Sequence, residues 1–264
     1  MNLFDAILLG IVQGITEFLP ISSDGHLAIV QHLLSDFHQP GLLFDVMLHV
    51  GTLLAIILYF ARDITGLATA LFRKDADARR DRHLLWLIVA ASVPTAIIGL
   101  ALKSLVEQWV ENMAVVGGML LVTGTLLFIS ERYRRGGQRG VAALTLTDAV
   151  LTGIAQGLAV LPGLSRSGST IATLLFRGVS GETAARFSFL MAIPAVGGAA
   201  LLSLRDLDAL PTADLPAYLA GTGVAFLVGL LAIRMLLGVI RRQRLVWFTF
   251  YCWLAGALVL ALLN

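Results

Sequence analysis

The chain has 264 residues, of which 58% are hydrophobic and only 14% are charged. A soluble domain carries about 25% charged residues, so this composition excludes an ordinary soluble fold and predicts a protein that lies mainly in lipid. The net charge of +2 is too small to indicate a nucleic-acid partner, and the single cysteine, Cys252, excludes an internal disulfide and a CxxC metal site. We therefore expect one integral membrane domain over 1–264 and no nucleic-acid partner.

Long apolar stretches recur through the chain, but two of them are interrupted. Segments 5–34 and 148–178 are broken in the middle by polar motifs that contain glycine and proline. Each half has room for a helix of about 18 Å, which reaches roughly halfway into a bilayer core of about 30 Å. The pattern predicts an all-α polytopic membrane protein with two re-entrant helical hairpins and six transmembrane helices, at roughly 42–60, 84–102, 113–131, 184–204, 216–239 and 246–263.

The two interrupted segments are copies of each other. Residues 5–14 and 148–157 are identical at seven of ten positions, and the same offset aligns Ser22 with Ser165 and Gly25 with Gly168. Chance likeness between apolar segments would match leucine and alanine rather than aspartate, glutamine and glycine. Because each copy holds three spans, the second copy is inverted relative to the first, and we interpret the chain as inverted repeats of approximately 1–135 and 144–264.

Arginine and lysine indicate which side of the membrane each loop occupies. Loops 61–83 and 132–147 contain ten of these residues, whereas the opposite face of the six-span arrangement has only Lys103 and Arg205. By the positive-inside rule the two loops are cytoplasmic. Both chain termini are then expected outside the cytoplasm, with the first hairpin entering the membrane from outside and the second from inside.

The tips of the two hairpins carry side chains that are costly at membrane depth and therefore need partners or a function. The second half-helix of each hairpin starts with free N–H groups, and Arg166 adds a planar pair of donors that suits phosphate oxygens. Thr170 lies one turn into its helix, so its hydroxyl can face the same site. The tips thus predict a phosphate site with substrate-binding positions at Gln13, Ser22, Gly25, Ser165, Ser167, Gly168 and Thr170.

Four residues of the first tip have the chemistry of a reaction centre. Glu17 and Asp24 are hard oxygen ligands that could hold Mg²⁺ or Ca²⁺ against phosphate. Ser23 and His26 are three residues apart at the start of a helix, so they can share a face as nucleophile and general base.

Two plainer interpretations stand beside this prediction. Arg166 could pair with Glu17 only to hold the hairpins together, although that leaves the hydroxyls, the histidine and the glycines unexplained. His49, on the same helix face as Asp45, could be a packing residue or a partner of the site.

The sequence resembles the undecaprenyl-diphosphate phosphatases of the bacitracin-resistance type (BacA/UppP) along essentially its whole length. The motifs that carry the resemblance are 13–20, 22–26, 162–168 with Thr170, and 187–194. The resemblance implies hydrolysis of a polyprenyl diphosphate to recycle the lipid carrier of cell-wall synthesis, in the bacterial inner membrane, at a site open to the periplasm. It assigns the functional residues of the family to Glu17, Ser23, His26, Arg166 and Thr170. The sequence leaves open whether the protein forms a homodimer.

Two positions depart from one common form of the family motif. Gln13 stands where some members carry another glutamate, and Asp24 stands where serine or threonine is usual. The first departure removes a candidate metal ligand and the second adds one. The alternative function is an inverted-repeat transporter or flippase of a phosphorylated lipid, which would need anion donors but no pairing of a nucleophile with a base.

Overall fold

The structure, a computed structural model, describes residues 1–34, 43–133, 137–203, 214–241 and 245–263. These residues form eleven α-helices and a short 3-10 helix over Val141–Ala143, and they contain no strand beyond one isolated bridge between Arg139 and Val179. The all-α class is confirmed. The helices are α1 (Leu3–Thr16), α2 (Ser23–Leu33), α3 (Leu43–Tyr59), α4 (Ala61–Thr69), α5 (Ala76–Trp109), α6 (Met113–Arg132), α7 (Leu146–Leu158), α8 (Arg166–Phe176), α9 (Gly181–Ser203), α10 (Leu215–Arg241) and α11 (Val246–Leu262).

Four of these helices, α5, α6, α9 and α10, are long and apolar enough to cross a membrane. A fifth candidate is the pair of α3 and α4, which is bent by 74° where the two helices meet. Helix α11 is apolar and has 17 residues, at the short end of the range of about 17–25 that spans a bilayer. A multi-pass helical membrane protein is therefore confirmed. Helix α5 starts well before the predicted 84–102 span because Asp75 caps it, accepting a hydrogen bond from the Ala78 N–H at 2.9 Å.

The two interrupted segments each form a pair of short helices that pack against each other. Helices α1 and α2 have 14 and 11 residues, and α7 and α8 have 13 and 11. At 1.5 Å per residue each is only about 16–21 Å long, too short to cross a bilayer core alone. Residues 17–22 and 159–165 join the paired helices, and together with the first turns of α2 and α8 they form the first and second tips.

Equivalent glycines bring these short helices close to long helices of the other half of the chain. A Cβ atom on Gly14 of α1 would lie 2.7 Å from the Val228 Cβ of α10, and one on Gly157 of α7 would lie 2.8 Å from the Ile98 Cβ of α5. Both distances are too short for a real side chain, so only glycine allows this packing. The first hairpin thus packs on a helix from the second half, and the second hairpin on a helix from the first half.

The first tip is enclosed by protein. Phe18 is fully buried, and its ring lies edge-on to Phe189 of α9 with 5.6 Å between centroids. Leu19 and Ile21 are also buried in this main core. A re-entrant tip would require such packing, because irregular backbone at membrane depth is tolerated only where protein or a wet cavity surrounds it.

Candidate active site

The two tips contact each other inside the protein. A Cβ atom on Gly25 would lie 3.0 Å from the Cα of Gly163, so the first turn of α2 rests on the second tip. The Ser167 hydroxyl donates a hydrogen bond to the Leu19 carbonyl oxygen at 3.1 Å. Thr123 of α6 donates to the Gly163 carbonyl at 2.9 Å. The predicted meeting of the two tips is therefore present, and the hydroxyl of Ser167, which the sequence assigned to substrate binding, joins them.

Equivalent serines cap the helices that follow the tips. The Ser22 hydroxyl accepts a hydrogen bond from the Gly25 N–H at 3.3 Å, and the Ser165 hydroxyl accepts one from the Gly168 N–H at 3.0 Å. Both glycine N–H groups, predicted to bind substrate, are thus used within the caps. Ser22 has φ 72°, the only positive φ of a non-glycine residue in the described chain. Such backbone is strained for a side-chain-bearing residue and marks the position just before Ser23 as a candidate functional turn.

Glu17 is the centre of a hydrogen-bond network that connects the hairpins. Its carboxylate is buried, and its Oε2 accepts hydrogen bonds from the Ser23 hydroxyl at 2.6 Å and from the Gln13 amide at 3.1 Å. Its Oε1 accepts a hydrogen bond from Arg166 Nη2. The pairing of Arg166 with Glu17 that the plainer interpretation expected is therefore formed, together with a hydroxyl that donates to the same carboxylate.

One guanidinium nitrogen of Arg166 is unpaired in the described part of the chain. Its Nη1 is buried and has no hydrogen-bond partner among the described residues. Leaving a buried charged donor unpaired is costly, so such groups call for an explanation. Arg166 also lines a cavity beside the tips. The plainer interpretation, in which Arg166 only holds the hairpins together, does not account for this donor.

His49 of α3 completes the polar cluster. Its Nε2 lies 3.4 Å from Glu17 Oε2 and 3.3 Å from Asp24 Oδ1, and its Nδ1 lies 2.8 Å from the Asp45 carbonyl oxygen. Both ring nitrogens therefore face oxygen acceptors, an arrangement that suits an imidazolium with two donors. Of the two interpretations left open for His49, the structure supports a partner of the site.

His26 lies elsewhere than the sequence predicted. Its Nδ1 is 2.7 Å from the Ser22 carbonyl oxygen, and its Nε2 is 2.7 Å from the hydroxyl of Tyr251 on α11, whose ring stacks on the imidazole. The predicted pairing of Ser23 with His26 is not formed, because Ser23 is the first residue of α2 and its hydroxyl points back to Glu17. Sequence reasoning missed Tyr251 as the partner of His26.

Thr170 and Gln13 lie behind the cavity. The Thr170 hydroxyl donates to the Arg166 carbonyl at 2.8 Å and lies 2.6 Å from the Ser188 hydroxyl of α9. It therefore does not face the cavity, whereas the sequence predicted that it would. Gln13 donates to Glu17 and lines no part of the cavity, whereas Gln156, its equivalent in the second hairpin, does. Thr170 supports the first turn of α8, and Gln13 supports the carboxylate.

A cavity of about 320 Å³ opens beside this cluster. Most of its lining is apolar and comes from α3, α5, α9 and the second tip, including Val46, Val106, Val160 and Ala200. A cavity with a charged end and apolar walls suits an amphiphilic anion. The polar end includes Glu17, Ser22, Ser23, Asp24, His49, Ser165 and Arg166.

The described part of the site contains no metal-binding group complete in itself. Among the described residues, no three histidine, cysteine, aspartate or glutamate side chains converge as a metal site. Mg²⁺ is usually held by one or two carboxylates together with substrate phosphates. Glu17 and Asp24, which both contact His49, are compatible with that arrangement.

The fold and the site define a polytopic helical membrane protein with a hydroxyl, a carboxylate and a guanidinium gathered at an amphiphilic cavity. Residues 6–258 match the family model described as bacitracin resistance protein BacA, and the chain belongs to this family. Similar relatives, each named undecaprenyl-diphosphatase, come from Syntrophotalea carbinolica (54% identical, 99% of both chains), Desulfosudis oleivorans (46%, 98% of both) and Carboxydothermus hydrogenoformans (39%, 99% of this chain and 98% of the relative). The predicted family is confirmed, and nothing in these comparisons supports the transporter alternative.

Proposed function

We propose that this chain hydrolyses undecaprenyl diphosphate to undecaprenyl phosphate and inorganic phosphate, which recycles the lipid carrier of cell-wall synthesis. Membership of the BacA family and the names of the relatives support this reaction. Within the site, the observation that carries the proposal is the Ser23 hydroxyl bonded to Glu17, beside the unpartnered Nη1 of Arg166.

The diphosphate binds at the polar end of the cavity. Arg166 Nη1 donates to a phosphoryl oxygen while Nη2 keeps its bond to Glu17. Helices α2 and α8 both begin at the tips, so the partial positive charge of their N-termini adds to that of the guanidinium. These donors stabilise the charge that spreads over the phosphoryl oxygens during transfer.

The reaction proceeds in two steps through a phosphoserine. Ser23 Oγ attacks the terminal phosphorus, its proton passes to Glu17 Oε2 at 2.6 Å, and the anhydride P–O bond breaks to release undecaprenyl phosphate. Water then attacks the phosphoserine, Ser23 Oγ leaves, and it recovers the proton from Glu17. Both protons of the water leave with inorganic phosphate, as H₂PO₄⁻. In this scheme Glu17 takes the role of base that the sequence assigned to His26, and His26 positions the tip through the Ser22 carbonyl.

The rival mechanism is direct attack by a water that Glu17 activates, with Ser23 only a donor to phosphate. Rapid quench with labelled substrate and mass spectrometry of the 20–34 peptide separates the two. The phosphoserine scheme predicts a labelled peptide. A wild type without labelled peptide, together with a Ser23→Ala variant that keeps about a tenth of the single-turnover rate, a loss of about 1.4 kcal/mol, would favour the water.

Phosphate release from purified protein tests the function itself. We expect release from undecaprenyl diphosphate in the wild type and its loss in Ser23→Ala. The matched control is Ser92→Ala, because the Ser92 hydroxyl only donates to the Ile88 carbonyl of its own helix at 2.8 Å. A stable wild-type protein that releases no phosphate would contradict the proposed function.

A divalent cation, Mg²⁺ or Ca²⁺, is part of the proposal. Glu17 and Asp24 would hold it together with the diphosphate oxygens. When bound, the cation would neutralise charge on the diphosphate. The same assay with a chelator tests this. Activity should fall when the chelator is added and return with added Mg²⁺ or Ca²⁺. Activity that the chelator does not change would contradict the requirement for a divalent cation.

The proposal places six spans and two re-entrant hairpins in inverted repeats of approximately 1–135 and 144–264, with both termini and the cavity on the periplasmic side. The charge bias of the sequence supports it, although Arg134, Arg135, Arg205, Arg242 and Arg244 lie outside the described residues. Single cysteines in loops 61–83 and 132–147, placed in a Cys252→Ala background, should be labelled only from the cytoplasm. External labelling of both loops would contradict this topology. A homodimer stays a prediction, to be checked by the mass of the purified protein in detergent.

A further inference from the structure

A second cavity, of about 570 Å³, adjoins the first. It lies between α3 and α9, and every described residue that lines it is apolar. Val46 and Ala200 line both cavities, so the second cavity lies directly against the apolar wall of the first. We call the second cavity the tail groove; it is lined by residues 43, 46, 47, 50, 53, 194, 197, 198, 200 and 201.

We propose that the tail groove holds the first isoprene units of the substrate's prenyl chain. The proposal rests on the proposed function, because the diphosphate must sit at Arg166 and Ser23 for its chain to reach the groove. An amphiphile held by its charged end leaves the polar cavity along an apolar wall. The tail groove adjoins the site at Val46 and Ala200, and none of the described residues that line it presents a charged or polar side chain to the prenyl chain.

Two glycines keep the groove open. A Cβ atom on Gly198 would meet nothing within 4 Å, and one on Gly197 would lie 3.9 Å from its nearest neighbour, Leu53 Cδ2. At Gly14, by contrast, an added Cβ would collide with α10 at 2.7 Å. Helix packing therefore demands glycine at position 14 but not at 197 or 198, where the missing side chains leave room for a ligand.

The groove holds only the part of the chain next to the diphosphate. From Val46 to Leu53 the helix rises by about 10 Å, while the rest of a long prenyl chain stays in lipid. Moving an apolar chain from lipid into an apolar groove gives little hydrophobic gain, because both surroundings are apolar. The groove therefore acts by fixing the position of the terminal phosphate relative to Ser23, and blocking it should harm the reaction of prenylated substrates while leaving headgroup binding intact.

Gly198→Leu tests the proposal because it fills the groove without a clash. The matched control is Gly118→Leu on α6, where an added Cβ also meets nothing within 4 Å and which lines neither cavity. We expect Gly198→Leu to lower kcat/KM for undecaprenyl diphosphate at least tenfold. Inorganic diphosphate, which has the headgroup alone, should inhibit both variants with the wild-type inhibition constant. Val50→Trp fills the groove from the α3 wall and should reproduce the effect if Gly198→Leu fails to fold.

A photoreactive prenyl diphosphate with a diazirine on its first isoprene unit gives a second readout. Labels within 43–59 or 181–203 are expected, whereas labels confined to the opposite apolar wall at Val106, Val110 and Val160 would overturn the proposal. It would equally be overturned if Gly198→Leu and Val50→Trp were as active as Gly118→Leu while the wild type releases phosphate, and in that case the proposed function would stand. A wild type that releases no phosphate would instead contradict the proposed function.

Discussion

The contact between Ser23 and Glu17 predicts that the two residues act as one catalytic unit. Ser23 Oγ donates to Glu17 Oε2 at 2.6 Å, and both side chains are buried at the meeting point of the hairpins. Glu17→Gln keeps the shape of the side chain but cannot take the serine proton. Ser23→Ala leaves the carboxylate in place with no hydroxyl to activate. The informative experiment compares the two single variants with the double variant.

The size of each effect follows from these roles. A positioned general base contributes about 10²–10⁴-fold to a rate, so Glu17→Gln should raise the barrier by about 2.7–5.4 kcal/mol. The loss should fall toward the upper end, because an uncharged glutamine also removes the ion pair with Arg166. Ser23→Ala should lose at least as much. Since Glu17 acts as a base only on the Ser23 hydroxyl, its removal should cost little more once that hydroxyl is absent. The double variant should therefore be about as slow as the slower single variant.

Single-turnover release of labelled phosphate measures all of these rates, and the thermal stability of each variant in detergent checks that it folds. The control pairs Ser23→Ala with Arg166→Lys, because Arg166 does not bond to Ser23 and would still bind phosphate in any reaction that remains without the Ser23 hydroxyl. In the double variant, the fold-loss in rate should be close to the product of the two single fold-losses. If the losses of Glu17→Gln and Ser23→Ala also multiply, the two residues act independently and the proton transfer between them is refuted.

Three further predictions concern binding, metal dependence and stability. Arg166→Lys keeps the charge but not the forked donor, so the activation free energy of the reaction should rise by about 2–4 kcal/mol. Arg132→Lys, at an exposed helix end, is the control. Near-normal turnover of Arg166→Lys would show that the forked donor is not needed. Asp24→Ser should raise the metal concentration needed for half-maximal activity. Adding Gln13→Glu to the Asp24→Ser variant should partly lower that concentration again. An unchanged metal dependence in Asp24→Ser would refute the idea that Asp24 replaces a carboxylate at position 13. In the first turn of α7, outside the membrane-spanning helices, burial alone would raise the pKa of Asp148, but its pairs with two arginines lower this pKa from 3.8 to about 2. Asp148→Asn should therefore lower Tm at pH 7, and the difference from wild type should shrink only as the pH falls below about 4 toward 2; equal Tm values at pH 7 would contradict the pairing.

The helical fold could be predicted because its signals are local. Apolar runs of span length mark α5, α6, α9 and α10, and the polar interruptions at 17–22 and 159–165 separate the short helices of each hairpin. The bend between α3 and α4 could not be predicted in the same way. The hydropathy of 42–60 gives no hint that a second helix leaves at 74° from its end, because the direction of that helix depends on what packs around it.

The site was only partly predictable, because sequence spacing fixes a helix face but not its neighbour. Glu17 and Arg166 carry opposite charges that are costly to bury unpaired, so their contact follows from chemistry. The spacing of Ser23 and His26 allowed a shared face, yet His26 bonds to Tyr251, which lies 225 residues further along the chain. The approach of His49 to Glu17 likewise depends on the packing of α3 against α1.

The duplicated tips keep the same scaffold and divide the chemistry between them. Ser22 and Ser165 cap equivalent helices in the same way, but the next position is Ser23 in one tip and Arg166 in the other. Two serines would give nucleophiles without a cation for the diphosphate, and two arginines would repel each other and leave nothing to attack phosphorus. Glu17, which has no carboxylate equivalent in the second tip, bonds to both residues and connects the two functions. Neither hairpin alone contains this site, so its assembly requires the contact between the tips that Gly25 permits.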